Sequence, residues 1–364
     1  VSGNGGGVML YKTNNAVVVA NLLVSNTARY GGGLYLNTDN TAVLTNNQVF
    51  FNYASSNGGG LYVRSSNVYV AHNQIMTNTS AGLGGGLYCY GGTPQYVQNT
   101  VSFNSTVNGG GGLYCAGGNP KFIENVLEFN TASVAVISYG GGMELDSTSE
   151  AQVTGNRLQA NSARRGGGLY IRDSGAALVQ SNVILSNTAN LGGGVYVNSG
   201  LSTAGFLSNT IAFNTVSGSD NRGAGAFING GASPWESNII YSNTAQLRGG
   251  GIYVNTSSAT FRNNRIVLNS ALNSTDSGGG VYVLGGTVAL VGNQILTNTT
   301  PGSGGGVYLS TVAAGSTLQQ NIFVGNTAAR GGGIYIYRGR PVLLGNRVLQ
   351  NVSTNTTDGG GGIY

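Results

Sequence analysis

The feature that most constrains this chain is a pair of asparagines five residues apart that returns thirteen times, each time between two glycine-rich blocks. The pairs run Asn21/Asn26, Asn47/Asn52, Asn73/Asn78, Asn99/Asn104 and Asn125/Asn130, and continue in the same way to Asn346/Asn351. The glycine block reads Gly-Gly-Gly-apolar-Tyr-apolar in most turns, with its first apolar residue at Val8, Leu34, Leu61, Leu87, Leu113, Met143, Leu169 and onward to Ile363. Most intervals are 26 or 27 residues, and the five-residue gap never varies. Such a period marks a stack of like units, each meeting its neighbours in one register. The prior that 364 residues make several globular domains therefore gives way to a single solenoid over residues 1–364, read as a piece of a longer array.

The repeating unit is a poor helix, because triple glycine, Thr, Val and Asn all weaken a helix interior, whereas β-branched residues and Tyr suit strands. The expectation is an all-β, right-handed parallel β-helix of about 13 turns of 26–31 residues. Each turn should hold three short strands: one at the glycine block, one ending near the first Asn, and one between the two asparagines. A leucine-rich repeat would carry more Leu and a helical or polar segment. A calcium-binding roll needs Asp in every turn, and there are six Asp in total.

Strands of successive turns lie about 4.8 Å apart, so equivalent side chains stack. Asn21, Asn47, Asn73, Asn99 and Asn125 should form one amide ladder, and Asn26, Asn52, Asn78, Asn104 and Asn130 a second, at corners where Asn also tolerates left-handed backbone. Period two turns both apolar residues of the glycine block inward and sends the Tyr between them outward. An external row including Tyr35, Tyr62, Tyr88, Tyr114, Tyr282, Tyr308 and Tyr335 follows, available for sugar rings or another solenoid. Cys89 and Cys115 share an inward position in consecutive turns, at a separation a disulfide accepts; an oxidised pair and two buried thiols both fit.

Composition closes several classes. The net charge of +5 comes from 16 basic and 11 acidic residues scattered along the chain, which is no nucleic-acid footprint. No Cys/His cluster has zinc spacing, so no metal or cofactor is expected. The longest apolar stretches, such as Ala16 to Ala20, are too short to span a bilayer.

Chemistry has few places to reside. The densest charged cluster is Glu144, Asp146 and Glu150, with Arg172 and Asp173 one turn later. Outward carboxylates beside a base are what polysaccharide-degrading β-helices use, which gives an enzyme reading. Asp146 and Arg172 also hold the same register in adjacent turns, so a cross-turn ion pair accounts for them without a substrate. The single His72 offers no catalytic dyad. Extra residues enter at one corner: the distance from the second Asn to the next anchor is 8 or 9 in nine turns, but 13 after Asn130 and 12 after Asn214, Asn269 and Asn351. Loops such as 217–223 and 272–277 are therefore candidate recognition elements, and Asn273 and Asn355 candidate glycan acceptors.

An apolar-x-x-Asn element followed by Gly-Gly-Gly-apolar, as in Phe323, Asn326 and Gly331 to Ile334, resembles the repeats of the polymorphic outer-membrane protein family. The resemblance covers the whole chain. It implies a surface-exposed or secreted β-helix with an adhesive or structural role. The leading expectation is thus a non-enzymatic extracellular or cell-surface solenoid, able to self-associate end to end or side by side. A glycan or cell-surface ligand is a further expected partner. The competing readings are a polysaccharide-binding module and a pectate-lyase-like enzyme.

Overall fold

The computed structural model describes residues 3–37, 41–64, 67–198, 203–218 and 220–364; Ser219, within the 217–223 loop, lies outside them. All regular structure among the described residues is β-strand. The chain divides into two compact units, Val1–Val183 and Ile184–Tyr364. Each is a parallel β-helix, the first of seven turns and the second of six.

In the first unit the glycine-block strands stack in strict register, Leu34 on Leu61, Leu61 on Leu87, Leu87 on Leu113 and Leu113 on Met143. A second strand ends just before the first Asn, as in Ala42–Thr45, and a third lies between the asparagines, as in Gln48–Phe50. After the second Asn comes a fourth strand of two residues, such as Thr79–Ser80 pairing Ser105–Thr106. The second unit repeats this plan from Val195–Asn198 to Ile334–Gly339.

The constant five-residue gap has a local cause. Each asparagine follows a single left-handed residue: His72 (φ 55°) precedes Asn73 and Thr77 (φ 57°) precedes Asn78. Three strand residues, one left-handed residue and one Asn make up each such step.

Asparagine then serves the corner through its amide. In the first column the Asn47 backbone N–H and Nδ2 both donate to Asn73 Oδ1 at 2.9 Å, and Nδ2 also donates to the Val18 carbonyl at 2.8 Å. In the second, Asn78 donates to Asn104 Oδ1 at 2.9 and 3.0 Å and to the Val49 carbonyl at 2.8 Å. The second unit does the same from Asn264 to Asn293. Buried amides are thereby paired without water.

Glycine is required by space as well as by φ. Gly84 sits at φ +65°, and a Cβ on Gly86 would lie 2.7 Å from the Gly112 carbonyl oxygen of the next turn. Inside, aliphatic anchors and stacked rings fill the core, with Tyr96 on Phe122 at 5.1 Å and Phe206 on Trp235 at 4.0 Å. Cys89 and Cys115, fully buried, are joined by a disulfide with Cα atoms 4.4 Å apart.

Candidate functional site

The tyrosine row of the first unit is broken once, by Glu144, which stands between Tyr114 and Tyr170 in the stacked register. Arg172, three residues after the next anchor, reaches back so that Nη2 lies 2.9 Å from Glu144 Oε1 and Nη1 3.3 Å from Asp146 Oδ2. Tyr114 OH donates to Asp146 Oδ2 at 3.0 Å. The guanidinium covers the ring of Tyr139 at 4.6 Å and that of Tyr170 at 5.7 Å. Glu144 is wholly shielded from solvent.

The shield depends on a missing side chain. Gly109 precedes the glycine block of an earlier turn, and a Cβ there would collide with Glu144 Oε2, so this carboxyl occupies the space that glycine leaves. Oε2 is buried without a hydrogen-bond partner. Burial pushes the Glu144 carboxyl up to about 8, Arg172 opposing and Asp146 reinforcing the rise. Burial works against the Arg172 charge, yet Glu144 and then Asp146 outweigh it and hold the guanidinium protonated. The arrangement is a closed electrostatic clamp: its base is engaged by two carboxyl groups, and one of those is out of reach of any substrate.

The other members of the sequence cluster lie elsewhere. Asp173 is exposed at φ 44°. Glu150 lines a polar groove of about 400 Å³ with Thr93, Gln95, Asn119, Lys121 and Gln152. Among the described residues no three His, Cys, Asp or Glu side chains converge on a metal position.

The external tyrosine row requires correction. The rings do stack, Tyr35 on Tyr62 at 5.0 Å, Tyr62 on Tyr88 at 4.7 Å and Tyr282 on Tyr308 at 4.8 Å. They are nonetheless buried: Tyr35, Tyr62, Tyr88 and Tyr114 are at most 9% exposed, Tyr282 and Tyr308 at most 2%, and only Tyr335 is half-buried. The physical reason is the chain just before each glycine block, which runs along the outside of the rings. Tyr30 and Leu83 pack on the first-unit rings. Arg222 lies over Tyr253 and Arg248 over Tyr282. Pointing away from the strand is thus not pointing into water.

Two further surfaces stand out, the first built in part from the 272–277 loop already singled out by its length. One is a cleft of about 350 Å³ lined by Ser274, Thr275, Asp276, Ser303, Ala329, Arg330, Tyr335 and Asn355. The other is a set of left-handed phenylalanines before the second Asn, Phe51, Phe103, Phe129 and Phe213, each 45–62% exposed. Bulky residues rarely hold positive φ. The sequence carries the signal, since four of ten Phe share that one register.

No curated protein matches the sequence. Among solved structures, the periplasmic alginate epimerase AlgG superposes with a TM-score of 0.52 at 11% identity, over 90% of this chain and 78% of that one. A point mutant of the same epimerase gives a TM-score of 0.48 at 12% identity over the same shares. At that identity the likeness is one of fold. The family described as a right handed β-helix region matches over residues 6–182, 86–266 and 208–364. Those overlapping matches run through the same repeats whose strands, corners and amide ladders are described above, and the chain belongs to the right-handed β-helix family.

Proposed function

We propose that this chain is a non-catalytic structural or adhesive solenoid working outside the cytoplasm, at a cell surface or within an envelope, with its loop corner turned to partners. The observation that carries the reading is the closed clamp. A carboxyl group that acts on a polysaccharide has to touch it, whereas Glu144 is sealed and Arg172 is held between Glu144 and Asp146. The Cys89–Cys115 disulfide favours an oxidising compartment.

The second reading, an enzyme acting on polysaccharide, draws support from the fold shared with a periplasmic alginate epimerase. Incubating the purified chain with alginate, pectate and neutral glucans, and following new reducing ends, unsaturated products and uronate epimers, separates the two. The expected outcome is no turnover of any substrate. Turnover that disappears in Asp146→Asn or Arg172→Ala, with the melting temperature retained, would establish the enzyme and remove the structural reading.

A further inference from the structure

The cleft of the second unit follows from how loop lengths alternate along the stack. The corner after Asn269 is long and runs through residues 272–277, and the corner after Asn351 is long and runs through residues 354–358, both lining the cleft. Between them come two short corners, 9 residues from Asn298 to Val307 and 8 from Asn326 to Ile334. Long corners make walls and short ones make a floor. Three turn steps separate the walls, roughly 14 Å at the usual strand spacing. The enclosed volume, about 350 Å³, suits a small ligand or a short oligomer.

Asp276 at the foot of the first wall and Ser303 and Arg330 of the floor form a column that bridges from turn to turn. In other turns the residue before the glycine block is often large, Tyr30, Leu83, Tyr139, Leu191 or Arg248 among them. Here Ser303 stands in that place and leaves the space open. Ser274, Thr275 and Asn355 add hydroxyl and amide groups from the walls, and Tyr335, half-buried, forms part of the base.

The chemistry of the lining selects a class of ligand. Backbone groups of the floor are already used, Ser303 N–H donating to the Thr275 carbonyl and Gly304 N–H to the Arg330 carbonyl. An added peptide strand therefore finds no free edge. No large aliphatic side chain offers an apolar anchor. Arg330 is paired with Asp358 at 3.4 Å, and its Nε donates to the Asp358 carbonyl. Asp276 lines the cleft next to this pair, and a carboxyl group there offers oxygens to hydroxyl donors.

We propose that this cleft binds a neutral, hydroxyl-rich ligand, a short stretch of uncharged glycan, held by Asp276 with hydroxyl and amide contacts from both walls. The assignment goes beyond the structural role and does not depend on whether the Glu144 clamp is catalytic, because it is read by binding and not by turnover.

The test is calorimetric titration of the chain with neutral oligosaccharides (glucose, mannose and N-acetylglucosamine oligomers) and with galacturonate and mannuronate oligomers. At least one neutral series should bind. Asp276→Ala should weaken it at least tenfold, and Ser303→Phe, which fills the floor, should abolish it, with melting temperatures unchanged. Hydrogen exchange on the unaltered chain should show protection confined to 272–277, 303–304, 329–335 and 354–358, a readout that stands even if a variant fails to fold. No neutral series binding, uronates alone binding, or protection falling elsewhere would each overturn the proposal.

Discussion

At Glu144 the fold holds a carboxyl group that water does not reach, between two tyrosines and above the space left by Gly109. Burial raises its pKa from 4.5 to about 8, so the folded chain keeps this proton where the unfolded chain has lost it. Its contribution to stability is therefore whole below about pH 4.5 and is lost as pH rises through about 8. Thermal unfolding of the chain should show a melting temperature that declines between about pH 4.5 and about pH 8, and Glu144→Gln, which cannot ionise, should flatten that decline. Parallel slopes for the two proteins would mean the carboxyl is not the group responsible. Little of this was legible in the sequence. The shared register of Asp146 and Arg172 could be read from spacing. The sealing of Glu144 could not, because it depends on a glycine 35 residues earlier that only stacking brings beneath it.

Among the elements, the asparagine corners combine burial with several hydrogen bonds per residue. Asn104 Nδ2 donates to the Ile75 carbonyl at 2.8 Å and to Asn130 Oδ1 at 3.0 Å, while its own Oδ1 accepts from the Asn78 backbone at 2.9 Å. Asn104→Ala leaves a buried carbonyl and a buried N–H unpaired, a loss of about 2–5 kcal/mol. Asn26→Ala, at a half-buried position, should cost about 1 kcal/mol or less, because water can replace the amide. Denaturant unfolding compares the two, and equal losses would argue that burial is not what gives the ladder its weight. The strands beside these corners were readable from period two and the fixed gap. The fourth strand was not, since two residues are too few to show a period. The cover on the tyrosines was also hidden, because alternation tells which side of a strand a ring leaves from, not what later packs over that side.

For the molecule as a whole, nearest-neighbour stacking sets how damage spreads. A solenoid turn contacts only the turns beside it, so local openings have local free energies. Hydrogen exchange on Asn104→Ala should accelerate amides of the surrounding turns, such as Leu87–Tyr90 and Leu113–Ala116, and leave Ile252–Asn255 and Val281–Leu284 at their original rates. Uniform acceleration would mean that the array opens as one block. The same one-dimensional logic explains why the second-unit cleft was only half visible beforehand. The four long corners were countable in the sequence, but walls and floor arise from the order in which long and short corners are laid side by side.

The amide ladders also give each unit an electrical sense of direction. Rung after rung, the nitrogen of one asparagine is aimed at the oxygen of the asparagine in the following turn, from Asn21 to Asn47 and Asn47 to Asn73, and again from Asn238 to Asn264 and Asn264 to Asn293. The side-chain oxygens of these columns thus face lower residue numbers, each accepting from the asparagine of the turn before, while each nitrogen bonds both the next asparagine and a carbonyl of the preceding turn, so the carbonyl dipoles of the column point one way. A further coil that continues such a column offers the matching oxygen only when it runs with the same sense.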